Sequence, residues 1–247
     1  MNNNYFIFYL YMKKYFITFG AGGNNYTNAG KRLVYQVRST QLFDNHILYT
    51  DKYLKKDKQF WNKHSDFISK NRRGYGYWIW KPYIIKKTME RMKDGDILFY
   101  LDCGCEIDVR KKDIIKKYFD YVKKDKIVGF KVGFKEKMWT KMDLFIKLNM
   151  LDKKHTDSGQ YGSGCIMFLV CPKTRKLVNE WYDIVCDYHL VDDSPSIKQN
   201  FNEFKENRHD QSIYSLLIKK YDMISSHSLI HIVEILRNKS GVSKIIK

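Results

Sequence analysis

The sequence predicts an α/β fold: a single domain with a central, mostly parallel sheet flanked by helices. Near the start, apolar periodicity predicts a strand over Lys13–Phe19, a helix from Tyr26 to Thr40 and a strand over Phe43–Tyr49. A β-α-β unit of this kind forms a parallel pair with a right-handed crossover. The continuous apolar run Ile97–Leu101 predicts a buried central strand, because strands covered on both faces lack polar alternation. With 247 residues and an apolar share of 44%, the chain is long enough for one such domain.

The elements after these strands alternate in the same way. Pro82 suits the first turn of a helix, and apolar residues within 172–188 recur on one helical face. The polar segment 190–208 is long for a loop, which indicates either a functional lid or disorder. The further elements predicted are helices over 52–71, 82–92, 110–124, 172–188 and 213–221, a short helix after Lys141, and strands over 127–134, 165–171 and 223–225.

We predict that the domain spans residues 13–237, between an N-terminal extension over 1–12 and a basic, frayed tail over 238–247. The apolar stretch Tyr5–Met12 is too short to span a bilayer, which takes roughly 20 residues. It also lacks the basic leader and the cleavage site of a signal peptide. The five cysteines are odd in number and form no C-x-x-C pair, which favours reduced thiols. We therefore expect a cytoplasmic protein without a transmembrane segment.

The formal net charge of +18 favours anionic partners, and nucleic acids, nucleotide-sugar phosphates and acidic membranes all qualify. The lysines are spread along the chain as pairs, whereas a nucleic-acid-binding arm would concentrate them. No familiar base-reading motif is present. We therefore expect no nucleic-acid partner, and a basic nucleic-acid-binding protein remains the lesser alternative.

Asp102 stands at the carboxyl end of the predicted central strand, where the ligands of open α/β sheets bind. Asp102 and Glu106 carry the oxygen ligands that Mg²⁺ and Mn²⁺ prefer, and Gly104 between them leaves room for an ion. A simpler alternative is that Asp102 caps a turn and that Glu106 is solvated. These residues alone leave both interpretations open.

Three other segments are candidates for a binding site. The glycine loop Gly20–Asn25 lets a ligand approach the backbone, although an ordinary strand-to-helix turn explains it equally well. The arginine- and aromatic-rich segment 72–83 is either a corner of the core or the wall of a cleft that binds rings and phosphates. Asp210 follows His209 at a predicted helix start, where Asp commonly serves as the N-cap. Gln211 adds an amide suited to hydroxyl recognition.

Four segments resemble motifs of the GT-A-fold glycosyltransferases, in matching order and spacing. The strand ending in Leu98–Asp102, followed by Gly104, is similar to the DxD strand of that family. Upstream, residues 80–85 resemble the helix before that strand, which carries a basic residue that touches the donor. Downstream, residues 160–168 resemble the glycine-containing strand on the acceptor side, and residues 209–212 resemble the DQ helix start. The likeness extends to a bacterial and giant-virus group with GYGYW-WKPY, LD-GCE and HDQS segments.

The resemblance implies a single GT-A (Rossmann-like) domain that transfers a sugar from a nucleoside-diphosphate sugar, expected to be UDP-linked, to a glycan or other hydroxyl acceptor, assisted by Mn²⁺ or Mg²⁺. It implies a metal on Asp102, with Glu106 and His209 as weaker candidates. It gives Asp210 and Gln211 a catalytic or hydroxyl-binding role. The donor-binding residues that it implies are Phe19, Gly20, Tyr26, Arg32, Trp80, Lys81, Asp102, Cys103, Gly104, Lys141, Ser163 and Gly164.

The family pattern is broken at one position, because Gly104 stands where DxD has its second acid. Glu106 or Asp108 is near enough in sequence to compensate. The departure leaves open a catalytically inactive relative that binds carbohydrate without transferring it.

Overall fold

The computed structural model describes residues 12–245, so residues 1–11 of the predicted extension and residues 246–247 lie outside the described part. No helix of residues 12–245 is long and apolar enough to cross a membrane. The strands are β1 (Lys14–Phe19), β2 (Asn45–Tyr49), β3 (Ile97–Leu101), β4 (Glu106–Ile107), β5 (Ile127–Val128), β6 (Lys131–Lys135), β7 (Gly159–Tyr161), β8 (Cys165–Leu169) and β9 (Val233–Glu234). The helices are α1 (Asn24–Thr40), α2 (Asp51–Lys56), α3 (Lys58–Lys70), α4 (Gly74–Tyr77), α5 (Trp80–Met89), α6 (Lys112–Asp125), α7 (Glu136–Trp139), α8 (Met142–Leu148), α9 (Lys153–Thr156), α10 (Pro172–Val185), α11 (Tyr188–Val191) and α12 (Asp210–Lys220).

The central sheet has five strands in the order β2-β1-β3-β8-β5. Strands β2, β1 and β3 are parallel neighbours, and β8 runs antiparallel to both β3 and β5. Four of the five strands therefore point the same way, which confirms the predicted α/β class with a mostly parallel sheet. Because Ile17 of β1 pairs with Tyr100 of β3, the carboxyl ends of these two strands meet at one edge of the sheet.

Helices cover both faces of β3, and this burial explains its uninterrupted apolar sequence. Leu98 and Tyr100 belong to one core cluster, together with Ile84 of α5 and Trp181 of α10. The alternate residues of β3 point to the opposite face and pack with residues from α1 and α6. The prediction of a buried central strand over Ile97–Leu101 is therefore confirmed.

Three predicted elements are wrong in extent. The predicted helix over 52–71 is broken at Asp57, whose side chain caps α3 by accepting a hydrogen bond from the backbone N–H of Phe60. The predicted strand over 127–134 is divided, because β5 stays in the central sheet whereas β6 turns away to pair with β7. Residues 223–225 form no strand, and β9 pairs with β4 instead. In each case the local apolar pattern is overridden by the partners that the segment meets in the fold.

The long segment 190–208 is docked on the body of the protein. The Asp143 carboxylate in α8 accepts the backbone N–H groups of Ile197 (2.7 Å) and Lys198 (2.9 Å). These charge-assisted bonds order the middle of the segment, so the expectation of disorder is wrong. A lid made of these residues would have to break them to open.

His64 is fully buried between two tyrosines at the junction of α3 with α10 and α11. Its Nδ1 lies 2.8 Å from the Tyr188 hydroxyl and its Nε2 lies 2.9 Å from the Tyr182 hydroxyl. The Tyr188 hydroxyl donates to the carbonyl of Lys63, so it accepts from Nδ1–H, while Tyr182 donates to Nε2. This network satisfies the neutral ring completely. Burial, followed by the positive charge of Lys63, lowers the pKa of His64 to about 4.

This pKa predicts a loss of stability on mild acidification. Between pH 6.5 and about 4 the unfolded chain binds a proton at His64 that the folded chain excludes. The free energy of unfolding therefore decreases as the pH is lowered through this range. Between pH 7 and pH 5 the contribution is about 2 kcal/mol, from about 1.4 kcal/mol for each unit of pKa shift. Urea unfolding at the two pH values measures it, with His64→Gln as the non-titrating control. The variant should have the weaker pH dependence, and equal dependence in both proteins would contradict the burial of a neutral imidazole.

Candidate functional site

Asp102 follows β3 at the edge where the carboxyl ends of β1 and β3 meet. Its backbone N–H donates to the carbonyl of Gly164 (2.8 Å), and its carbonyl accepts from the N–H of Cys105 (2.9 Å). Asp102 therefore opens a tight turn, as the simpler interpretation of the sequence requires. Its side chain nevertheless remains 39% exposed and is turned toward a buried cation. The expectation of a turn is met, and a metal ion on Asp102 stays a prediction.

The buried cation is Lys81 of α5, which is 2% exposed. Its Nζ lies 3.3 Å from Asp102 Oδ1, 3.1 Å from Asp210 Oδ2 and 3.2 Å from Ser163 Oγ. The Ser163 hydroxyl donates to Asp210 Oδ2 (2.8 Å), and the Tyr100 hydroxyl donates to Asp102 Oδ1 (2.5 Å). We call Lys81, Tyr100, Asp102, Ser163 and Asp210 the lysine cluster. It joins residues from four distant parts of the chain.

The electrostatics of the lysine cluster keep Lys81 charged. Burial by itself would lower the pKa of Lys81, but Asp102 and Asp210 outweigh burial and raise it. Burial raises the pKa of Asp210 from its ordinary value, although Lys81 and Ser163 oppose that rise. When both carboxyls are ionised, one cation faces two anions. The cluster therefore carries no spare positive charge for a second anionic group.

A left-handed turn presents Lys81. All five residues of Gly74–Trp78 have positive φ, including Tyr75 (55°), Tyr77 (50°) and Trp78 (60°). Left-handed angles cost roughly 1–2 kcal/mol for each residue that has a Cβ. Hydrogen bonds from the Trp78 N–H (3.1 Å) and the Trp80 Nε1–H (2.9 Å) to the Gly74 carbonyl hold the turn. Strain of this kind, three residues before a buried lysine, is typical of sites in which geometry matters.

His209 is a second strained residue, with φ 57° and ψ −126°, and it directly precedes Asp210. Its Nδ1–H donates to the carbonyl of Val191 (2.7 Å), and its ring stacks on Trp78 at a centroid distance of 5.2 Å. The two strained segments thus support each other. The Asp210 carboxylate points to Ser163 and Lys81, so Asp210 does more than start α12.

Gln211 lies next to the lysine cluster and is oriented by a polar chain behind it. Its Nε2 donates to Gln160 Oε1 (2.7 Å), and its Oε1 accepts from the N–H of Ser163 (3.4 Å). The Gln160 amide in turn donates to the buried carboxylate of Glu136 (3.1 Å). Because a carboxylate only accepts, this contact fixes which end of each amide faces the site.

The sequence interpretation missed Tyr100 and Glu136 as members of this site. Tyr100 was recognisable in principle, because it lies two residues before Asp102 on the same face of β3. Glu136 gives no local signal, since its partners come from α12 and β7, far away in the sequence.

Arg32 is engaged away from the lysine cluster. It is 6% exposed, and its Nη2 donates to the carbonyls of Cys103 and Cys105 (both 2.9 Å). Its Nη1 donates to the carbonyls of Asn238 (3.2 Å) and Ser240 (2.6 Å). Arg32 therefore clamps the turn after Asp102 to the end of the chain, and its charge is not presented at the surface.

Lys141 is also engaged elsewhere. Its Nζ donates to the carbonyl of His189 (2.6 Å) and to the side chains of Asp192 (3.0 Å) and Ser194 (3.3 Å). The ammonium is 2% exposed and anchors the start of segment 190–208. The structure therefore does not bring Lys141 to the lysine cluster.

Glu106, a weaker metal candidate, is fully buried and saturated with hydrogen bonds. Its oxygens accept from Asn238 Nδ2 (2.6 Å), Ser243 Oγ (2.6 Å), the N–H of Lys244 (3.0 Å) and Gln36 Nε2 (2.9 Å). Burial alone would raise the pKa of Glu106, but these bonds lower it to about 2. Residues 238–245 are thus packed on the domain, and the expectation that they fray is wrong.

The remaining metal candidates do not gather around Asp102 either. Nδ1 of His209 donates to a carbonyl, and its Nε2 faces Asp193 at 3.7 Å. Within residues 12–245 no group of three or more His, Cys, Asp and Glu side chains is arranged to hold a metal ion. Cys103 and Cys105 are buried, and burial raises the pKa of Cys103 to about 12, so it is an uncharged thiol. Asp102 is the metal candidate that keeps exposed oxygen surface.

The glycine loop after β1 lies beside an aromatic wall. Phe19 stacks on Trp80 with ring centroids 3.8 Å apart, and Tyr75 lies 6.0 Å from Phe19. Gly20 is required there, because a Cβ would approach the carbonyl oxygen of Tyr26 to 2.6 Å. The first turn of α1 has no side-chain cap, which leaves backbone N–H groups open to an anion.

A cleft of about 280 Å³ lies elsewhere on the surface, between α5 and α10. Its lining includes Lys86, Glu90 and Arg175 and no member of the lysine cluster. Size alone gives it no chemistry, so the candidate site remains the edge that carries Asp102.

No known protein-family model matches the chain, and no curated protein sequence matches it. The fold is similar to that of mouse xyloside xylosyltransferase 1 in its apo form, with a TM-score of 0.47 and 12% identity over 87% of this chain and 85% of that chain. It is also similar to mannose-6-phosphate isomerase from Helicobacter pylori, with a TM-score of 0.36 and 14% identity over 93% and 94% of the two chains. Both likenesses are too distant to identify an activity.

The lysine cluster predicts how Lys81→Met will behave. The change leaves the Asp210 carboxyl buried and unpaired, so the free energy of unfolding should fall by about 3 kcal/mol at neutral pH. Urea unfolding measures the loss. The double variant Lys81→Met/Asp210→Asn removes the orphaned charge and should recover at least half of it. No loss in the single variant, or no recovery in the double variant, would contradict the pairing.

Proposed function

We propose that the chain is a GT-A-fold glycosyltransferase, which transfers a sugar from a nucleoside-diphosphate sugar, UDP-linked, to a glycan or other hydroxyl acceptor. One observation carries the proposal. Lys81, Asp102, Ser163 and Asp210 come from the four segments that resemble this family, and they meet within hydrogen-bonding distance. They meet at the carboxyl edge of parallel strands, where ligands of α/β sheets bind.

The donor fits between the glycine loop and the turn after Asp102. Tyr75 is partly exposed and offers ring surface for a base or sugar, with the buried rings of Phe19 and Trp80 packed behind it. The uncapped first turn of α1 offers N–H groups to a phosphate. The glycine loop follows β1 and the turn after Asp102 follows β3, and because these strands are parallel neighbours one extended ligand can reach both.

The residues around Asp102 fit a divalent cation only if the substrate completes its coordination. Mg²⁺ and Mn²⁺ are commonly held by one or two carboxylates together with substrate phosphates and water. Asp102, with its side chain 39% exposed, supplies one such carboxylate, whereas the Glu106 carboxylate is already saturated. Bound there, Mn²⁺ or Mg²⁺ would supply positive charge to the leaving diphosphate.

The chain's own residues hold the reacting groups in place. Lys81 and Tyr100 fix the Asp102 carboxylate from the buried side through Oδ1. Asp210, whose pKa is raised by burial, lies beside the Ser163 hydroxyl and is suited to orient a sugar hydroxyl and exchange a proton with it. Gln211 presents an oriented amide next to them.

A catalytically inactive carbohydrate-binding protein is the second candidate. The observation that favours it is the single half-exposed carboxylate at the edge, with Gly104 in place of a second acid. Donor hydrolysis separates the two candidates, since an active enzyme slowly transfers the sugar to water. A wild-type protein that neither binds nor hydrolyses any UDP- or GDP-sugar, with or without Mn²⁺, would defeat the enzyme proposal.

We expect Asp102→Asn to lower Mn²⁺-dependent hydrolysis of a UDP-sugar by at least about 100-fold, because it removes charge stabilisation at the leaving diphosphate. Release of UDP measures the rate. Asp113→Asn is the matched control, because Asp113 is exposed on α6 and pairs with Lys116 at 2.9 Å. Its rate should stay close to wild type. Equal rates in all three proteins would remove Asp102 from the reaction.

Gly164→Ala tests the position of Asp102 without changing its chemistry. A Cβ at Gly164 would lie 2.7 Å from Asp102 Oδ2 and so displace the carboxylate. Hydrolysis should fall between about 10- and 100-fold, as a small misplacement of a catalytic group produces. Gly133→Ala is the control, since a Cβ there meets nothing within 4 Å. A Gly164→Ala protein as active as the control would show that the carboxylate position is unimportant.

A further inference from the structure

The C-terminal segment, residues 237–245, is fastened to the turn that follows Asp102. Its first anchor is the carboxylate of Glu106, which accepts hydrogen bonds from Asn238, Ser243 and Lys244. Glu106 has no exposed surface. A buried carboxylate with its lone pairs filled in this way is costly to free, so the segment has a defined place in the folded protein.

The second anchor of the C-terminal segment is the guanidinium of Arg32. It binds the carbonyls of Cys103 and Cys105 on one side and those of Asn238 and Ser240 on the other. The planar fork of Arg32 therefore couples the turn after β3 to the C-terminal segment. The turn that carries Asp102 and the C-terminal segment form one unit.

The C-terminal segment lies against both loops that flank the candidate donor site. Its start is packed on the turn, because a Cβ at Gly104 would lie 3.1 Å from the Cα of Arg237. Two residues later, the Lys239 ammonium lies 5.2 Å from the centre of the Tyr26 ring, at the end of the glycine loop. The segment thus runs from the loop after β3 to the loop after β1. These are the two loops between which the donor is placed.

Two cations stand on this path. Arg237 and Lys239 are exposed, and neither makes an ion pair with any residue of 12–245. Arg237 also has a positive φ of 50°. The lysine cluster has no positive charge to spare, because Lys81 already faces Asp102 and Asp210. A phosphate bound at this edge needs cations from elsewhere.

We propose that Arg237 and Lys239 bind the phosphate groups of the donor, and that Glu106 and Arg32 hold the C-terminal segment in place for this contact. The inference rests on the proposed function and deepens it, since it assigns the diphosphate to residues at the end of the chain. Arg237 and Lys239 are binding residues. Glu106 and Arg32 are positioning residues.

Calorimetric titration with UDP and with inorganic pyrophosphate tests the assignment. Arg237→Ala/Lys239→Ala should weaken both ligands at least about tenfold, because two charged donors to phosphate are lost. The matched control is Lys116→Ala/Lys123→Ala on α6, which removes the same charge from exposed positions. The control should stay within about twofold of wild type, as expected for screened charges at a distance.

The variant Glu106→Gln distinguishes the docking of the C-terminal segment from the direct effect of the Glu106 charge on anion binding. Neutralising an acid strengthens the binding of an anion through charge alone. If the segment must be docked, Glu106→Gln weakens pyrophosphate binding instead. Tighter binding in this variant would contradict the positioning role of Glu106.

The two ligands also separate this inference from the proposed function. If Arg237→Ala/Lys239→Ala and the α6 control lose the same affinity for pyrophosphate, while the wild-type protein binds UDP-sugars, the inference is overturned and the proposed function stands. If Arg237→Ala/Lys239→Ala loses pyrophosphate binding and the wild-type protein binds no nucleotide sugar, the phosphate-binding role stands and the proposed function is overturned. A wild-type protein that binds none of these ligands overturns both.

Discussion

The buried ammonium of Lys81 is the contact on which the candidate site depends. It joins Asp102 at the end of β3 to Asp210 at the start of α12, with Ser163 between them. Burial alone would lower the pKa of Lys81, and it raises the pKa of Asp210. The two carboxyl groups outweigh burial at Lys81 and raise its pKa, so the ammonium stays charged and holds four chain segments around one point. The strained turn over Gly74–Trp78 precedes α5 and positions Lys81 at that point.

Two acids close together in sequence have opposite roles. Asp102 keeps exposed oxygen surface and is available to a ligand, whereas Glu106 is buried and serves the architecture. Gly104 lies between them, and the C-terminal segment packs directly against it, which a side chain at this position would hinder. At the position where the resembled DxD motif has its second acid, Gly104 therefore leaves space for another part of the chain. The donor site, as proposed, is completed by residues about 135 positions later in the sequence.

The sequence was sufficient for features that depend on local pattern. The apolar run of β3 and the β-α-β unit were predictable from it, and the family resemblance selected Lys81, Asp102 and Asp210, which the structure brings together. Arg32 and Lys141 were recognised as charged candidates, but their partners are carbonyls and side chains from distant segments, which no local pattern reveals. The break between β5 and β6 was missed for the same reason, because the apolar run continues while the pairing partner changes. The sequence therefore selects candidate residues and leaves open which of them meet.

The most direct test of this account is a crystal structure of the wild-type protein with UDP and Mn²⁺. The account predicts the diphosphate at the carboxyl edge of β1 and β3, with Asp102 within reach of the phosphate-bound ion and Lys239 within hydrogen-bonding distance of a phosphate oxygen. UDP bound in the cleft between α5 and α10, or with its phosphates turned away from Asp102, would contradict it.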